Sequence, residues 1–517
     1  MDRNRIEDLH QRREAVIAGG GTARVERQHE QGKYTARERL ALLFDEGTFR
    51  EIGIFANSRA QDFGLAGRDV PADAVVTGYG RVDGKRVYAF SQDFTTMGGS
   101  LGEMHAAKIC RVMDLALQNG CPFVGINDSG GARIQEGVDA LNGYGEIFRR
   151  NTKASGIIPQ ISVIAGPCAG GASYSPALTD LVMMVEGSAR MFITGPQVIK
   201  AVTGAEVDDQ YLGGATAHAR KSGVAHMVYP DEASLFGELR WLLGLLPANN
   251  REEPPRGDAL APAADAEDLV DIMPEMPNKG YNVEDVIERI VDAGSFIQVH
   301  PDFASNAVVG LARMEGRTVG IIANQPRFLA GCLDIDSSDK IARHVRFCDA
   351  FNIPLLTLVD TPGYLPGIDQ EHGGIIRHGA KVLYAYAEAD VPKISIVLRK
   401  AYGGAYLAMC SRSLGADVSL AWPTAEIAVM GPEGACNIVF RREIEAADDP
   451  ETVRREKIEE YREKFANPYV AAGRGFIDDV IDPVRTREEV LGALDSLQGK
   501  VPDTGTRTAR RHGNIPM

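Results

Sequence analysis

The chain has 517 residues, 44% hydrophobic and 25% charged, with seven cysteines and 56 glycines. That length exceeds what one hydrophobic core organises, so two large domains are expected. A net charge of −15 and a pI near 5.3 exclude a nucleic-acid binder held by a general basic surface.

The first residues, Met1–Val16, are charged where a secretion signal is apolar. No apolar run approaches the ~18 residues of a spanning helix; the best candidate, Leu239–Leu246, is short and contains Arg240. No two cysteines have CxxC spacing, and most sit in apolar stretches, which predicts small core residues in a reducing compartment. A cytoplasmic protein without membrane insertion is expected.

Residues 1–45 carry a helical pattern interrupted by Gly19–Gly20–Gly21, and Thr35 followed by Glu38 predicts a capping box. Val75–Val82, the Asp83–Gly84 turn and Arg86–Gln92 predict a β-hairpin. A helix follows from about Gly102 to Gln118, then short apolar strands at Phe123–Ile126 and Ile161–Ile164, each running into a glycine-rich turn. Strand, glycine turn and helix in alternation define an α/β class. Between Leu246 and Asp268 prolines, acids and alanines lack any period, which predicts a linker at 251–267 between domains 1–250 and 268–517. The order then returns: strands at Val308–Met314 and Val319–Ala323 around a Gly316 turn, a helix over Asp339–Phe351, and strands at Leu355–Val359 and Ile394–Leu398. A charged helix is predicted over Pro450–Phe465, and the polar tail is expected on a surface.

That return is a repeat. Val76–Asp128 lies over Val308–Asp360 without a gap at a constant offset of 232 (Lys340 against Lys108). Gly78 meets Gly310, Arg81 meets Arg313, Ile109 meets Ile341, Pro122 meets Pro354 and Asp128 meets Asp360. Gly170–Gly171–Ala172 then meets Gly403–Gly404–Ala405, one position further on. Such a period is far longer than the ~20–50 residues of a solenoid unit. It marks two copies of one domain and two copies of one kind of site.

Each copy ends an apolar strand in a glycine pair that opens a helix. Backbone N–H groups there point at one spot and suit a developing oxyanion. A bound nucleotide phosphate is a second use, but neither motif has the GxxxxGK[ST] or GxGxxG form. Packing glycines are the plain alternative, weakened by the matched pair. The segments 127–133, with Gly130 and Gly131, and 359–367, with Gly363 and Tyr364, follow equivalent strands and are candidate pocket walls. Asp128 and Asp360 there read as turn caps rather than general bases. The one GxSxG match, 98–102, sits several polar residues past its strand, so Ser100 reads as part of a plain loop. No HExxH or paired Cys–His metal cluster occurs, and His372 and His378 read as surface or structural residues.

Four strings carry a resemblance: Gly-Pro-Cys-Ala-Gly-Gly-Ala-Ser-Tyr-Ser-Pro-Ala at 166–177, Ala-Tyr-Gly-Gly-Ala-Tyr at 401–406, Ala-Trp-Pro-Thr-Ala-Glu-Ile-Ala-Val-Met-Gly-Pro-Glu-Gly-Ala at 421–435, and His-Gly-Asn-Ile-Pro at 512–516. Over nearly its whole length the chain resembles the biotin-dependent acyl-CoA carboxyltransferases. These include propionyl-CoA carboxylase β subunits and the corresponding subunits of methylmalonyl-CoA decarboxylase and transcarboxylase. The resemblance implies two tandem crotonase-like (ClpP/crotonase) α/β domains and a homo-hexamer. It implies an acyl-CoA site in the first domain, with the thioester oxygen held by Gly170 and Gly171 and by Ala172 beside them. It implies a biotin site in the second, with the ureido oxygen held by Gly404 and Ala405, supported by Gly403 and walled by Gly363 and Tyr364. Biotin is expected on a separate carrier, since the chain has no Met-Lys pair, and the implied partners are a biotin carboxylase and a biotin carboxyl carrier subunit. Coenzyme A enters as part of the substrate, and no metal is implied. One position departs: propionyl-CoA carboxylases often have Asp after Gly-Gly-Ala-Tyr, whereas Leu407 stands here, as in the decarboxylase and transcarboxylase members. An apolar wall at Leu407 puts strict propionyl selectivity in doubt. The reaction expected is carboxyl transfer to a short-chain acyl-CoA, propionyl-CoA or acetyl-CoA. The same transfer run from methylmalonyl-CoA is the alternative. A biotin-free hydratase or isomerase, which would need an acid beside the first turn, and a non-catalytic scaffold are the readings from other classes.

Overall fold

A computed structural model describes residues 3–276, 278–501 and 511–516. The chain forms two compact units, Met1–Glu253 with Ala509–Pro516, and Pro254–Thr508. Residues 254–267 lie along the second unit: the Gly257 amide donates to Gly316 O, and Ala261 O accepts from the Ala293 amide. Of the polar tail, 506–510 and 517 lie outside the described residues. Its described end lies at the surface of the first unit, with Ile515 and Pro516 exposed, and is anchored there by one residue. Asn514 is buried in the first unit, where its amide donates to Ser155 Oγ and its side chain to Asp180 at 3.0 Å.

The strands of the first unit are β1 (Arg50–Glu51), β2 (Val75–Val82), β3 (Lys85–Gln92), β4 (Phe123–Ser129), β5 (Gln160–Ala169), β6 (Leu181–Val185), β7 (Arg190–Phe192) and β8 (Met227–Tyr229). They form one sheet in the order β1-β2-β3-β4-β5-β6-β8, with β7 on the end of β5. The β2–β3 hairpin is antiparallel and the sheet from β3 to β8 is parallel. In the second unit β9 (Ile297–Val299), β10 (Ala307–Met314), β11 (Arg317–Asn324), β12 (Leu355–Thr361), β13 (Lys393–Tyr402), β14 (Val418–Ala421), β15 (Glu426–Ala428) and β16 (Asp479–Val480) repeat that order and every pairing sense. Even the register break between β4 and β5 recurs between β12 and β13.

Covering helices explain the continuous apolar strands. Every residue of β4 and of β12 is buried, as parallel strands covered on both faces require. Helix Glu103–Asn119 packs on Val138–Ala154, and Ile335–Ala350 packs on Ile375–Glu388. The second core gathers Val286, Ile287 and Ile290 against Ile321, Leu356, Ile396 and Trp422, each buried side chain stabilising by about 1.5–3 kcal/mol. The capping box at Thr35 forms as expected, with Thr35 N–H donating to Glu38 and Glu38 N–H to Thr35 Oγ1. The helix expected from Asp339 starts earlier, at Ile335, because Asp334 and Ser337 cap it reciprocally.

The repeated lysines are structural. Lys108 Nζ donates to Ala72 O at 2.7 Å and Val75 O at 2.5 Å; Lys340 Nζ donates to His300, Phe303 and Ala307 carbonyls at 2.7 Å. Each buried ammonium collects the carbonyls of the loop before β2 or β10. Ala72 and Ala304, at equivalent places in those loops, both have positive φ. Burial lowers the two lysines to about 8 and about 7.

Candidate functional site

The last three residues of β5 leave β6 and pair with β7, so the strand delivers Gly170 at the sheet's edge. Gly170 has φ 61, ψ −127, a mirror-β backbone conformation that glycine adopts readily and an L side chain does not, and helix Gly171–Ala177 follows at once. Gly170 N–H donates to Phe192 O at 2.9 Å and is thereby occupied. The amides left for a ligand are those of Gly171 and Ala172, the first two helical residues, which have no acceptor within the helix. Ser173 fixes the turn: its hydroxyl donates to Cys168 O at 2.7 Å and lies 3.2 Å from Phe192 O. A Cβ on Gly171 would come within 3.0 Å of the buried ring of Tyr144.

The second turn repeats this geometry. The end of β13 pairs with β15, Gly403 has φ 58, and helix Gly403–Ala408 begins there with Gly404 and Ala405 in its first turn. Room around it differs. A Cβ on Gly404 would meet only the Tyr364 ring, at 4.0 Å. A cavity of about 490 Å3 opens beside Gly403 and Gly404, walled by Leu407, Val429, Phe465 and Phe476. Leu407 is 44% exposed on that wall.

Within each unit the structure gathers candidate residues around the turn. Gly131 packs on the end of β5, where a Cβ would lie 3.0 Å from Ala169 O, and Gly130 N–H donates to Gly98 O at 3.0 Å. Tyr364 reaches the second turn, donates to Gly379 O at 3.4 Å, and is raised by burial to about 12. Gly363 is held by its own backbone, its carbonyl accepting from the Leu333 amide and its N–H donating to Thr361 Oγ1, and it does not line the cavity. Ser100 Oγ donates to Met97 O, consistent with a plain loop.

Asp128 and Asp360 are not turn caps. Each is buried in ion pairs beneath its turn: Asp128 with Lys33 at 2.7 Å and Arg39 at 2.9 Å, Asp360 with Arg399 at 2.9 Å. Arg39 continues to Glu232 at 2.6 Å, also buried. Sequence reasoning misses these partners because they lie far apart along the chain. It misses Tyr144 because nothing in a helical pattern marks the one ring that touches a distant glycine. No free acid or thiolate stands at the first turn, since burial raises the Cys168 thiol to about 12. Among the described residues no three metal-binding side chains gather, and no helix is long and apolar enough to cross a membrane.

Paired backbone donors stand at the helix starts of both copies of a duplicated fold, an arrangement able to stabilise an oxyanion. Residues 27–515 match the carboxyl transferase domain family, and the chain belongs to it. It is 57% identical to the methylmalonyl-CoA decarboxylase subunit alpha of Propionigenium modestum and 56% identical to the carboxyltransferase subunit of propionyl-CoA carboxylase of Haloferax mediterranei, in both cases over 99% of each chain. Its structure superposes with a TM-score of 0.96 on a transcarboxylase 12S hexamer with methylmalonyl-coenzyme A bound, at 55% identity over 100% of this chain and 99% of that one. The two units are duplicated crotonase-like domains.

Proposed function

We propose that this chain is the carboxyltransferase subunit of a biotin-dependent acyl-CoA carboxylase, carboxylating the α-carbon of a short-chain acyl-CoA such as propionyl-CoA or acetyl-CoA. The observation that carries this is the matched pair of turns at the ends of β5 and β13, each presenting two amides where strand becomes helix. The amides of Gly171 and Ala172 hold the thioester oxygen and stabilise the charge that grows on it as the α-carbon loses its proton; one such donor contributes about 2.7–4 kcal/mol to the transition state. Gly130 and Gly131 back this turn. The amides of Gly404 and Ala405, set on Gly403, serve the ureido oxygen of biotin, and the apolar cavity with room above Gly404 suits a small fused bicyclic ring. Biotin, on a separate carrier protein, supplies the transferable carboxyl group and the base. Gly171 and Gly404 take no part in proton transfer, which accords with the absence of a free acid at the first turn.

A biotin carboxylase and a biotin carboxyl carrier are the partners this reading requires, and a homo-hexamer in the cytoplasm is its assembly. Running the transfer from methylmalonyl-CoA is the second reading, favoured by Leu407 and by the decarboxylase and transcarboxylase relatives. The test is carboxyl exchange between methylmalonyl- or malonyl-CoA and a biotinylated carrier, with purified chain. No exchange with either thioester rules out both readings. Net rates in the two directions, with a biotin carboxylase present, separate them.

A further inference from the structure

The buried residue of the tail reaches the first turn through a file of side chains. Gly156, with φ 70, makes room for the tail: a Cβ there would lie 2.0 Å from His512 O. Asn514 then bridges two elements. Its amide donates to Ser155 Oγ at 2.9 Å, at the end of helix Val138–Ala154, and its Nδ2 donates to Asp180 at 3.0 Å. The other oxygen of Asp180 accepts from the Gln160 amide at 2.8 Å and fixes the first residue of β5. The Gln160 side chain grips Asn151 twice: Asn151 Nδ2 donates to its Oε1 at 3.1 Å, and its Nε2 donates to Asn151 O at 3.0 Å. With its Nδ2 committed there, Asn151 turns Oδ1 to Ser175, whose Oγ donates to it at 2.9 Å from helix Gly171–Ala177. Asn514, Asp180, Gln160 and Asn151 are all buried, so a lost member leaves its neighbour's polar group without water to replace it.

The second unit has the same frame without this relay. Asp417 stands where Asp180 does, accepting from the Lys393 amide at 2.8 Å, and Lys393 opens β13 as Gln160 opens β5. A residue late in the chain again reaches that aspartate, here Lys500 at 2.8 Å. There the likeness ends. The Lys393 ammonium donates to Tyr386 O and Ala389 O, and Ala408, in the place of Ser175, has no hydroxyl to offer. A bond to this aspartate is therefore a general support of the fold, and only in the first unit does it continue to a turn.

We propose that Asn514 is a positioning residue of the first turn. Through Asp180, Gln160 and Asn151 it holds Ser175, and with it the helix whose first amides, those of Gly171 and Ala172, meet the thioester oxygen. The helix that carries Asn151 also carries Tyr144, which stands against Gly171, so the turn is braced from one element at two points. This rests on the function proposed above.

The test is a cycle of Asn514→Ala, Ser175→Ala and the double variant in the full chain, assayed for carboxyl transfer from methylmalonyl-CoA to a biotinylated carrier. A misplacement of about 1 Å costs up to about 100-fold, so each single variant lowers kcat by about 10–100-fold. The KM for biotinylated carrier stays within about twofold, and the double variant is slower than the slower single variant by no more than about twofold, because both break one relay. Lys500→Met removes the corresponding bond in the second unit and leaves kcat within about twofold. An unchanged kcat in either single variant overturns the proposal. So do losses that multiply in the double variant, a carrier KM that rises as far as kcat falls, and a kcat loss in Lys500→Met equal to that in Asn514→Ala. Should Asn514→Ala give no folded chain, Ser175→Ala decides alone, since it removes one hydroxyl and keeps Tm within about 4 °C of the parent. Hydrogen exchange gives a readout independent of turnover. Peptides covering 171–178 exchange faster in Asn514→Ala than in the parent, while those covering 404–411 keep the parent rate; an unchanged rate at 171–178 overturns the relay. If the parent chain transfers no carboxyl group from any thioester, the functional reading fails, and the exchange rates still decide whether Asn514 holds the turn.

Discussion

The two units bury an aspartate at the same point of the same strand, yet neutralise it from different parts of the chain. In the second, Arg399 on β13 pairs with Asp360 directly, and its guanidinium lies 5.1 Å from the Tyr281 ring centroid. In the first, the position aligned with Arg399 is Gly166, where even a Cβ would fall 2.0 Å from Asp128 Oδ1. The space is taken by Lys33 and Arg39, brought in from the N-terminal segment, and Arg39 is itself held by Glu232. Duplication preserved the backbone and the buried carboxylate. The counter-charge sits on the strand in the second unit and on residues remote in sequence in the first. The first turn therefore depends on the folding of the segment around residues 33–39, and the second does not.

Removing the counter-charges gives the largest expected effect. Arg39→Met leaves Glu232 buried without its counter-charge, holding only the Tyr34 amide at 3.3 Å, and strips one from Asp128, so a loss of about 3–5 kcal/mol is expected in denaturant unfolding of the first unit. Arg399→Met leaves only Asp360 short, and Asp360 keeps the Lys400 amide at 3.1 Å, so a smaller loss is expected. Losses below about 1 kcal/mol for Arg39→Met would mean that Lys33 alone suffices, and the asymmetry would be void.

Steric room sets the next effect. Gly171→Ala pushes a methyl against the Tyr144 ring at 3.0 Å, whereas Gly404→Ala meets nothing nearer than 4.0 Å. Overpacking of this kind costs about 1–3 kcal/mol. A lowered Tm is expected for Gly171→Ala and an unchanged one for Gly404→Ala. Equal Tm values would show that the Tyr144 helix yields at no cost.

Much of this architecture is legible in the amino-acid sequence itself. The constant offset of 232 locates the duplication, and hydrophobic runs place β4, β5, β12 and β13 because parallel strands covered on both faces carry an unbroken apolar signal. The glycine pairs at 170–171 and 403–404 mark the turns. What escapes a linear reading is the set of side-chain relations that cross the chain. Nothing local in Asp128 distinguishes a turn cap from an ion-pair partner, because Lys33, Arg39 and Glu232 join it only after folding. The occupied amide of Gly170 is also hidden, since its acceptor, Phe192, lies on a strand of three residues. One further signal does lie in the repeat: Gly166 aligned with Arg399 is a change from no side chain to a charged one beside a repeated aspartate.

Protonation separates the halves less strongly. Lys340 is lowered to about 7 and Lys108 to about 8, in both cases by burial. For a base with a lowered folded value, the unfolded chain binds the extra proton between that value and the ordinary lysine range. Stability contributed by Lys340 therefore rises with pH from about 7 upward, by at most about 1.4 kcal/mol per pH unit. The unfolding free energy of the parent chain minus that of Lys340→Met should grow from pH 7 to 9, and the same difference for Lys108→Met should begin to grow about one unit higher. A flat difference for both would place the lysines as permanent ammonium ions, consistent with the four carbonyl acceptors around Lys340.

The smallest effect concerns the walls of the turns. Leu407 aligns with Tyr174, and both are about half exposed, at 44% and 50%. Tyr174 leans on Phe148, with ring centroids 6.1 Å apart, so its place is fixed by packing. Leu407 instead faces the open cavity beside Gly403, and its side chain offers apolar contact without a hydrogen bond. Truncating it to alanine removes an isopropyl group from that wall. One methylene in an apolar pocket is worth about 1–3 kcal/mol at full burial, and half exposure places Leu407 at or below the lower end. Leu407→Ala should therefore raise kcat/KM for butyryl-CoA relative to propionyl-CoA by about 3–10-fold. Tyr174→Phe should leave the ratio where it was. If Leu407→Ala instead raises the carrier KM and leaves the acyl ratio fixed, Leu407 borders biotin alone, and acyl-chain choice rests with the first unit.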